Sequence, residues 1–173
     1  MTVTTESSLY EHIRLSWMPK VTEGFFFRAE SFFNFASYID AAAKESSYNP
    51  YYFYGGRSLH EQSHGESFLN LFKGRLSNRR PALYLLDEPE AALSPARQLA
   101  LLRILHDHEM SGRSQFIIAT HSPILLGYPG ATLMSFDSGS IEPISYRETP
   151  HYIITKQFLN APDNMLRELF KDE

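Results

Sequence analysis

Two groups of residues in this chain have types and spacings that could do chemistry. The first is His60-Glu61-Gln62-Ser63-His64, which fits the pattern H-E-x-x-H. On a helix, residues four apart share a face. Two imidazoles could then bind Zn²⁺ while the glutamate serves as general base, with Glu88 or Glu90 as a third ligand. Against this, Gly65 weakens the helix that must hold both histidines, and Gln62, Ser63 and Glu66 give it little apolar backing. Solvated loop histidines are the competing reading. The second group is a series. Leu83-Tyr84-Leu85-Leu86-Asp87-Glu88-Pro89 is an apolar run that stops at two adjacent carboxylates, and open α/β sheets bind ligands at the carboxyl edge of such strands. Successive strand side chains point to opposite faces, so Asp87 and Glu88 are expected to divide the work. One suits Mg²⁺ held through its water shell, the other a proton taken from water. Ala119-Thr120-His121-Ser122-Pro123 follows the next apolar run and reaches the same edge. It reads either as a plain helix-entry turn or as a histidine placed against a transferring phosphoryl group. Upstream, Ser63-His64-Gly65-Glu66 stands just before a helical pattern, where N–H groups and the helix dipole favour a phosphate and Gly65 allows close approach.

The elements that must position these residues follow from periodicity and from turn chemistry. Gly24 to Arg28 reads as a short buried strand, Ala29 to Lys44 as a helix, and Ser46 to Gly56, with Pro50 and four tyrosines, as a loop. Phe68, Leu69, Leu71, Phe72 and Leu76 fall on helical spacing from Ser67, and Asn78 to Pro81 ends that helix. Ala82 to Leu86 and Gln115 to Ala119 read as buried parallel strands. Between them, Ser94-Pro95 supplies an N-cap and a first-turn proline for a helix running to about Met110. Thr132 to Phe136 and Ile141 to Tyr146 read as paired strands around Asp137-Ser138-Gly139, followed by helices near 151–159 and 162–170. Alternating strands and helices predict an α/β fold. The aromatic-rich start, with Phe25, Phe26, Phe27, Phe32, Phe33 and Phe35, is expected to face the core, the alternative being an exposed apolar patch awaiting a partner.

Composition narrows the classes. The chain has 173 residues, 43% of them hydrophobic and 21% charged, which is the balance of a folded globular domain. A net charge of −4 argues against a basic nucleic-acid surface over the whole molecule. Without cysteine there is no disulfide framework, thiolate metal site or cysteine nucleophile. No apolar run approaches the ~20 residues that span a bilayer, and the first thirty residues lack the layout of a signal peptide. A cytoplasmic location is therefore expected.

Taken together, the motifs resemble the C-terminal two-thirds of an ABC-type ATPase nucleotide-binding domain of the soluble AAA/SMC-like branch. Gln62 to Glu66 is similar to the signature motif in its S-x-G-E form. Ala82 to Glu88 resembles the Walker B strand with its glutamate, Ala91-Ala92-Leu93-Ser94 falls at the D-loop, and His121 falls at the switch histidine. Phe25 to Glu30 resembles the strand and loop that end in the Q-loop, with Glu30 in the glutamine's place. The resemblance implies a P-loop NTPase-like, mostly parallel sheet flanked by helices. It divides the chain into a lead-in over 1–23 and a partial domain over 24–173, with a helical and signature region (29–80), a sheet region from Walker B to the switch histidine (81–147) and C-terminal helices (148–173). It also implies ATP and Mg²⁺ as cofactors. Asp87 would order the metal's water shell, Glu88 would polarise the attacking water and His121 would contact the γ-phosphate. Ser63, Gly65 and Glu66 would serve a nucleotide held by an opposite subunit, with Ser94 at the seam between subunits.

Three departures stand out. Ser94 occupies a position where the family commonly has aspartate, and His64 replaces a frequent glycine. No G-x-x-x-x-G-K-[ST] loop occurs in the 173 residues, so the Walker A cradle and its strand are missing from this sequence. In the family that strand lies beside the one corresponding to Gln115–Ala119, whose edge is then expected to be unpaired. The chain alone is expected to be weak or inactive as an ATPase. The unpaired edge is expected to be covered by residues 132–136, by the N-terminal segment or by another chain. The expected partner is therefore a second copy in a homo-oligomer or a partner chain with an intact Walker A. The alternatives are a non-catalytic interaction module, a subunit lending its signature motif in trans and, more distantly, a zinc metalloprotease through His60-Glu61-x-x-His64.

Overall fold

A computed structural model describes residues 8–14, 16, 20–45, 48–76 and 80–171. Strand β1 (Glu23–Arg28) leads through a single 3₁₀ turn, Ala29–Ser31, into helix α1 (Phe32–Glu45). The helix expected from Ala29 therefore begins three residues later. The expected loop after α1 contains a 3₁₀ helix, Pro50–Tyr54. Pro50 presets its first turn, and Asn49 Oδ1 accepts from the Tyr51 N–H at 2.9 Å; Ser46 and Ser47 lie outside the described residues. Helix α2 (His64–Arg75) starts at His64, three residues ahead of the apolar repeat, and its expected end at 78–81 falls partly on residues 77–79, outside the description. Strand β2 (Ala82–Asp87), helix α3 (Pro95–Glu109) and strand β3 (Ser114–Ala119) follow as anticipated to within a residue or so. A short helix α4 (Pro123–Leu126) comes next. The paired strands β4 (Met134–Ser135) and β5 (Glu142–Pro143) are two residues each, and the chain continues into α5 (Pro150–Asn160) and α6 (Pro162–Leu169).

The main sheet has three strands in the order β1-β2-β3, all parallel, in the register Phe26–Leu85–Ile117. One face carries Phe25, Phe27, Tyr84, Leu86, Phe116 and Ile118, in register across the three strands. Tyr84 sits between the rings of Phe25 and Phe116 at 5.4 and 5.2 Å. This face meets the apolar sides of α1, α2 and α3, where Ala36, Phe72 and Leu101 are fully buried. Each large side chain buried there contributes about 1.5–3 kcal/mol relative to exposure.

The opposite face corrects the expectation of strands buried on both sides. Among the described residues no layer covers it, and Phe26 (61% exposed), Leu85 (37%) and Ile117 (57%) form an open apolar row across the sheet. The aromatic start is accordingly split: Phe27 and Phe32 are in the core, whereas Phe26 and Phe33 are exposed. Gly24 belongs to the strand because a side chain cannot. Its φ is +139°, and a Cβ there would run into the carbonyl oxygen of Leu83 on β2.

Candidate functional site

The carboxyl edge of the sheet gathers Arg28, Glu30, Asp87, Glu88, Glu90 and His121. Asp87 ends β2, paired in register with Arg28 of β1 and Ala119 of β3, and Arg28 Nε donates to Asp87 Oδ2 at 3.0 Å. Glu30 is exposed in the 3₁₀ turn that follows β1. Glu88 takes one more ladder bond, from its N–H to the Ala119 carbonyl at 2.9 Å, and then leaves the strand with φ +49°. It is the non-glycine residue of positive φ among those described, a conformation that costs on the order of 1 kcal/mol or more and persists only where the surroundings impose it. The carboxylates are thus separated by a backbone turn at Glu88 as well as by strand alternation. The Glu88 carboxylate points along the edge towards β3, where Oε1 lies 3.7 Å from His121 Nε2.

The loop after β3 is held from below. Glu90 Oε1 accepts from Thr120 Oγ1 at 2.6 Å, from the His121 N–H at 2.9 Å and from the Ser122 N–H at 3.1 Å. Ser122 caps α4 by accepting from the Ile124 and Leu125 N–H groups, and its hydroxyl donates to Gln98 Oε1 at 2.5 Å. Gln98 Nε2 in turn donates to the Leu93 carbonyl at 3.0 Å. The segment after β2 and the segment after β3 are therefore cross-tied by one carboxylate and one amide. The helix-entry reading of Ser122-Pro123 holds, and it coexists with a histidine aimed at the edge. Ser94 is the N-cap residue of α3, but its hydroxyl makes no capping bond and the residue is exposed.

Ser63, Gly65 and Glu66 form a separate group at the start of α2. No hydrogen bond or ion pair of the described residues links them to Asp87, Glu88 or His121. Ser63 is the N-cap residue, yet its Oγ accepts from Arg97 Nη2 of α3 at 3.1 Å instead of capping the helix. The space that Gly65 leaves open is filled by the Arg97 side chain, and Glu66 pairs with Arg57 at 3.3 Å. Gln62 is buried and braces this end: its Nε2 donates to the Tyr54 and Arg57 carbonyls, and its Oε1 accepts from Asn70.

The H-E-x-x-H helix does not form. Leu59–Glu61 is a 3₁₀ turn, Gln62 is extended (φ −97°, ψ 156°), and His64 opens a new helix, so the two histidines stand on different elements. Both rings lie against Phe33, and His60 Nε2 is 3.2 Å from Ser37 Oγ. Among the described residues no group of three or more His, Asp or Glu side chains is placed to hold a metal ion. Magnesium asks less of the protein: one or two carboxylates, with the remaining ligands drawn from water and substrate phosphate. Asp87 and Glu88 fit that demand, with Asp87 keeping Oδ1 outside its bond to Arg28.

The residues that sequence reading missed are Arg28, Arg97 and His151, together with the brace made by Glu90. Arg28 had a readable signal, a cation at the end of the strand preceding the acidic one. Arg97 and His151 reach the site through tertiary packing and have no local mark.

A parallel sheet with helices packed on one face and adjacent carboxylates at its carboxyl edge defines an α/β domain of the P-loop NTPase type. The chain belongs to the family described as "AAA domain, putative AbiEii toxin, Type IV TA system", whose model matches residues 16–127, more than half of the sequence. Nucleotide binding with ATPase-type chemistry, using ATP and Mg²⁺, is the general property of such domains. No curated protein and no solved structure matches the chain. Among the described residues no helix is long and apolar enough to cross a membrane.

Proposed function

We propose that this chain is the ABC-type part of a Mg-ATP-hydrolysing machine whose site is completed by a phosphate-binding loop that the 173 residues do not contain. The observation that carries the reading is the apposition of Asp87, Glu88 and His121 at one sheet edge, with Glu88 in a strained backbone conformation and its Oε1 3.7 Å from His121 Nε2. Asp87 orders the metal's water shell, Glu88 polarises the attacking water, and His121 contacts the γ-phosphate. Mg-ATP, when bound, supplies the scissile phosphoanhydride and the charge that offsets developing negative charge on it. Glu30 stands where a Q-loop glutamine would. Ser63, Gly65 and Glu66 face a nucleotide held by a second subunit, with Ser94 at the seam. Arg97, already on Ser63, brings a cation to that surface.

A second chain also has structural support. Among the described residues no strand pairs with the outer edge of β3 in the order β1-β2-β3. Beside it runs a cavity of about 410 Å³, lined by Leu105, Phe116, Ile118, Leu125 and, across the gap, Ala131 and Leu133. A strand delivering the phosphate loop would pair there from a partner chain with an intact Walker A, whereas a second copy would cover the edge without supplying the loop. A bare interaction module has no physical need for Asp87, Glu88 and His121 in apposition.

Titrating the chain with Mg-ATP tests this reading. Binding is expected to be weak, to require Mg²⁺ and to be reduced at least tenfold by Asp87→Asn. Tight binding by the isolated chain would overturn the missing cradle. Binding that ignores both Mg²⁺ and Asp87→Asn would overturn the site. Metal analysis of the same sample showing stoichiometric zinc would favour the His60–His64 alternative.

A further inference from the structure

His121 is fixed from two directions, and only one of them involves the family-matched segment. Its backbone N–H is held by Glu90. Its ring is 75% exposed by side-chain area, and an exposed imidazole with nothing beside it rotates freely and exchanges tautomers. Here Nδ1 of His121 lies 3.1 Å from Nε2 of His151, with ring centroids 5.3 Å apart and planes inclined by 34°. His151 lies outside residues 16–127, on the first turn of α5, and that turn is well anchored. Thr149 is buried, accepts from the Tyr152 N–H and donates to the Tyr146 carbonyl. Tyr146 donates its hydroxyl to the Pro123 carbonyl at 2.9 Å, two residues beyond His121. The two histidines are thus carried by elements bonded to each other.

The geometry assigns His151 as a positioning residue: its Nε2–H donates to His121 Nδ1, placing the His121 proton on Nε2 and aiming that N–H at Glu88. The chemistry allows little else while both rings are neutral. A neutral imidazole has one donor and one acceptor nitrogen. The carboxylate at 3.7 Å from His121 Nε2 favours a donor there, which leaves Nδ1 as the acceptor and requires a donor opposite it. His151 Nε2–H is that donor. The result is a Glu88–His121–His151 line in which α5 sets the direction of the ring. This inference rests on the proposed role of His121 for its purpose, and on geometry alone for its existence.

Long-range ¹H–¹⁵N spectra of the imidazoles in the full chain at pH 8, without nucleotide, test it. In the wild type His121 is expected as a single Nε2–H tautomer, with Nδ1 shifted as a hydrogen-bonded acceptor. His151→Phe keeps a ring but no donor, and should move Nδ1 to its free position and let the second tautomer appear. His151→Gln places an amide N–H near the former Nε2 and should restore the wild-type pattern. A wild-type His121 carrying its proton on Nδ1, or His121 nitrogens that do not respond to His151→Phe, would overturn the assignment. Should the phenylalanine variant not fold, the wild-type and glutamine spectra still decide it. An intact line in a chain whose ATP binding ignores both Mg²⁺ and Asp87→Asn would sink the functional reading and leave this one standing; a missing line with Mg-dependent binding would do the reverse.

Discussion

Glu90 shows how a single side chain can organise this edge. One of its oxygens takes three donors from the loop that presents His121, while the other, Oε2, is buried and accepts no bond among the described residues. Removing the carboxylate leaves Thr120 Oγ1 and two backbone N–H groups short of a partner, although Ser122 N–H keeps a second bond to Thr120 Oγ1. Glu90→Ala is therefore expected to cost about 2–3 kcal/mol. Glu90→Gln keeps a carbonyl oxygen in the same place, and its cost should be no more than about 1 kcal/mol. Urea midpoints at constant slope measure both. Equal losses for the two variants would mean that charge, and not the three accepted bonds, holds the loop. The sequence offered Glu90 only as a possible zinc ligand, because its partners lie thirty residues away and a linear pattern cannot announce them.

At the scale of elements, strands and helices were legible where one physical signal dominated. The apolar runs of β2 and β3, the Ser94-Pro95 start of α3 and the Asp-Ser-Gly turn between β4 and β5 all belong to that class. The start of α2 was not, because Gly65 disfavours a helix and this end is tied by tertiary bonds, from Arg97 to Ser63 and from Arg57 to Glu66. Helix α3 carries a pH dependence of its own. His108 is half-buried near its end, and its Nδ1 is buried without a hydrogen bond among the described residues. Burial holds its pKa below the ordinary imidazole value, partly opposed by the neighbouring Asp107. A base with a lowered folded pKa contributes stability that is present above the unfolded value of about 6.5 and is lost as pH falls through the folded one. The urea midpoint should therefore drop on acidification below about pH 6.5. His108→Leu should flatten that part of the profile, and an unchanged profile in the variant would show that the dependence arises elsewhere.

At the scale of the whole molecule, the decisive feature is a sheet that the described residues cover on one side only. Parallel sheets ordinarily carry cover on both faces; here Phe26, Leu85 and Ile117 stand open in register, and the β3 edge adjoins a cavity. Leu159, Leu169 and Phe170 add exposed apolar surface on the C-terminal helices. A row of exposed apolar side chains such as Phe26, Leu85 and Ile117 is suited to burial against a partner, and an unpaired strand edge invites a further strand. Sequence periodicity could not distinguish one buried face from two, because Ala82–Leu86 and Phe116–Ala119 are apolar on both faces. A second copy can cover this surface at sufficient concentration, so the wild-type chain should sediment as a concentration-dependent mixture of monomer and larger species. Ile117→Lys places a charge on the open face of the edge strand, where the folded monomer loses little, within about 0.5 kcal/mol. Burying that side chain in an interface contributes about 1.5–3 kcal/mol, so the substitution should raise the dissociation constant by roughly tenfold or more. Sedimentation velocity over a wide concentration range, read beside the urea midpoint, separates the two effects. A wild type that remains strictly monomeric at the highest concentration would exclude self-covering of the sheet.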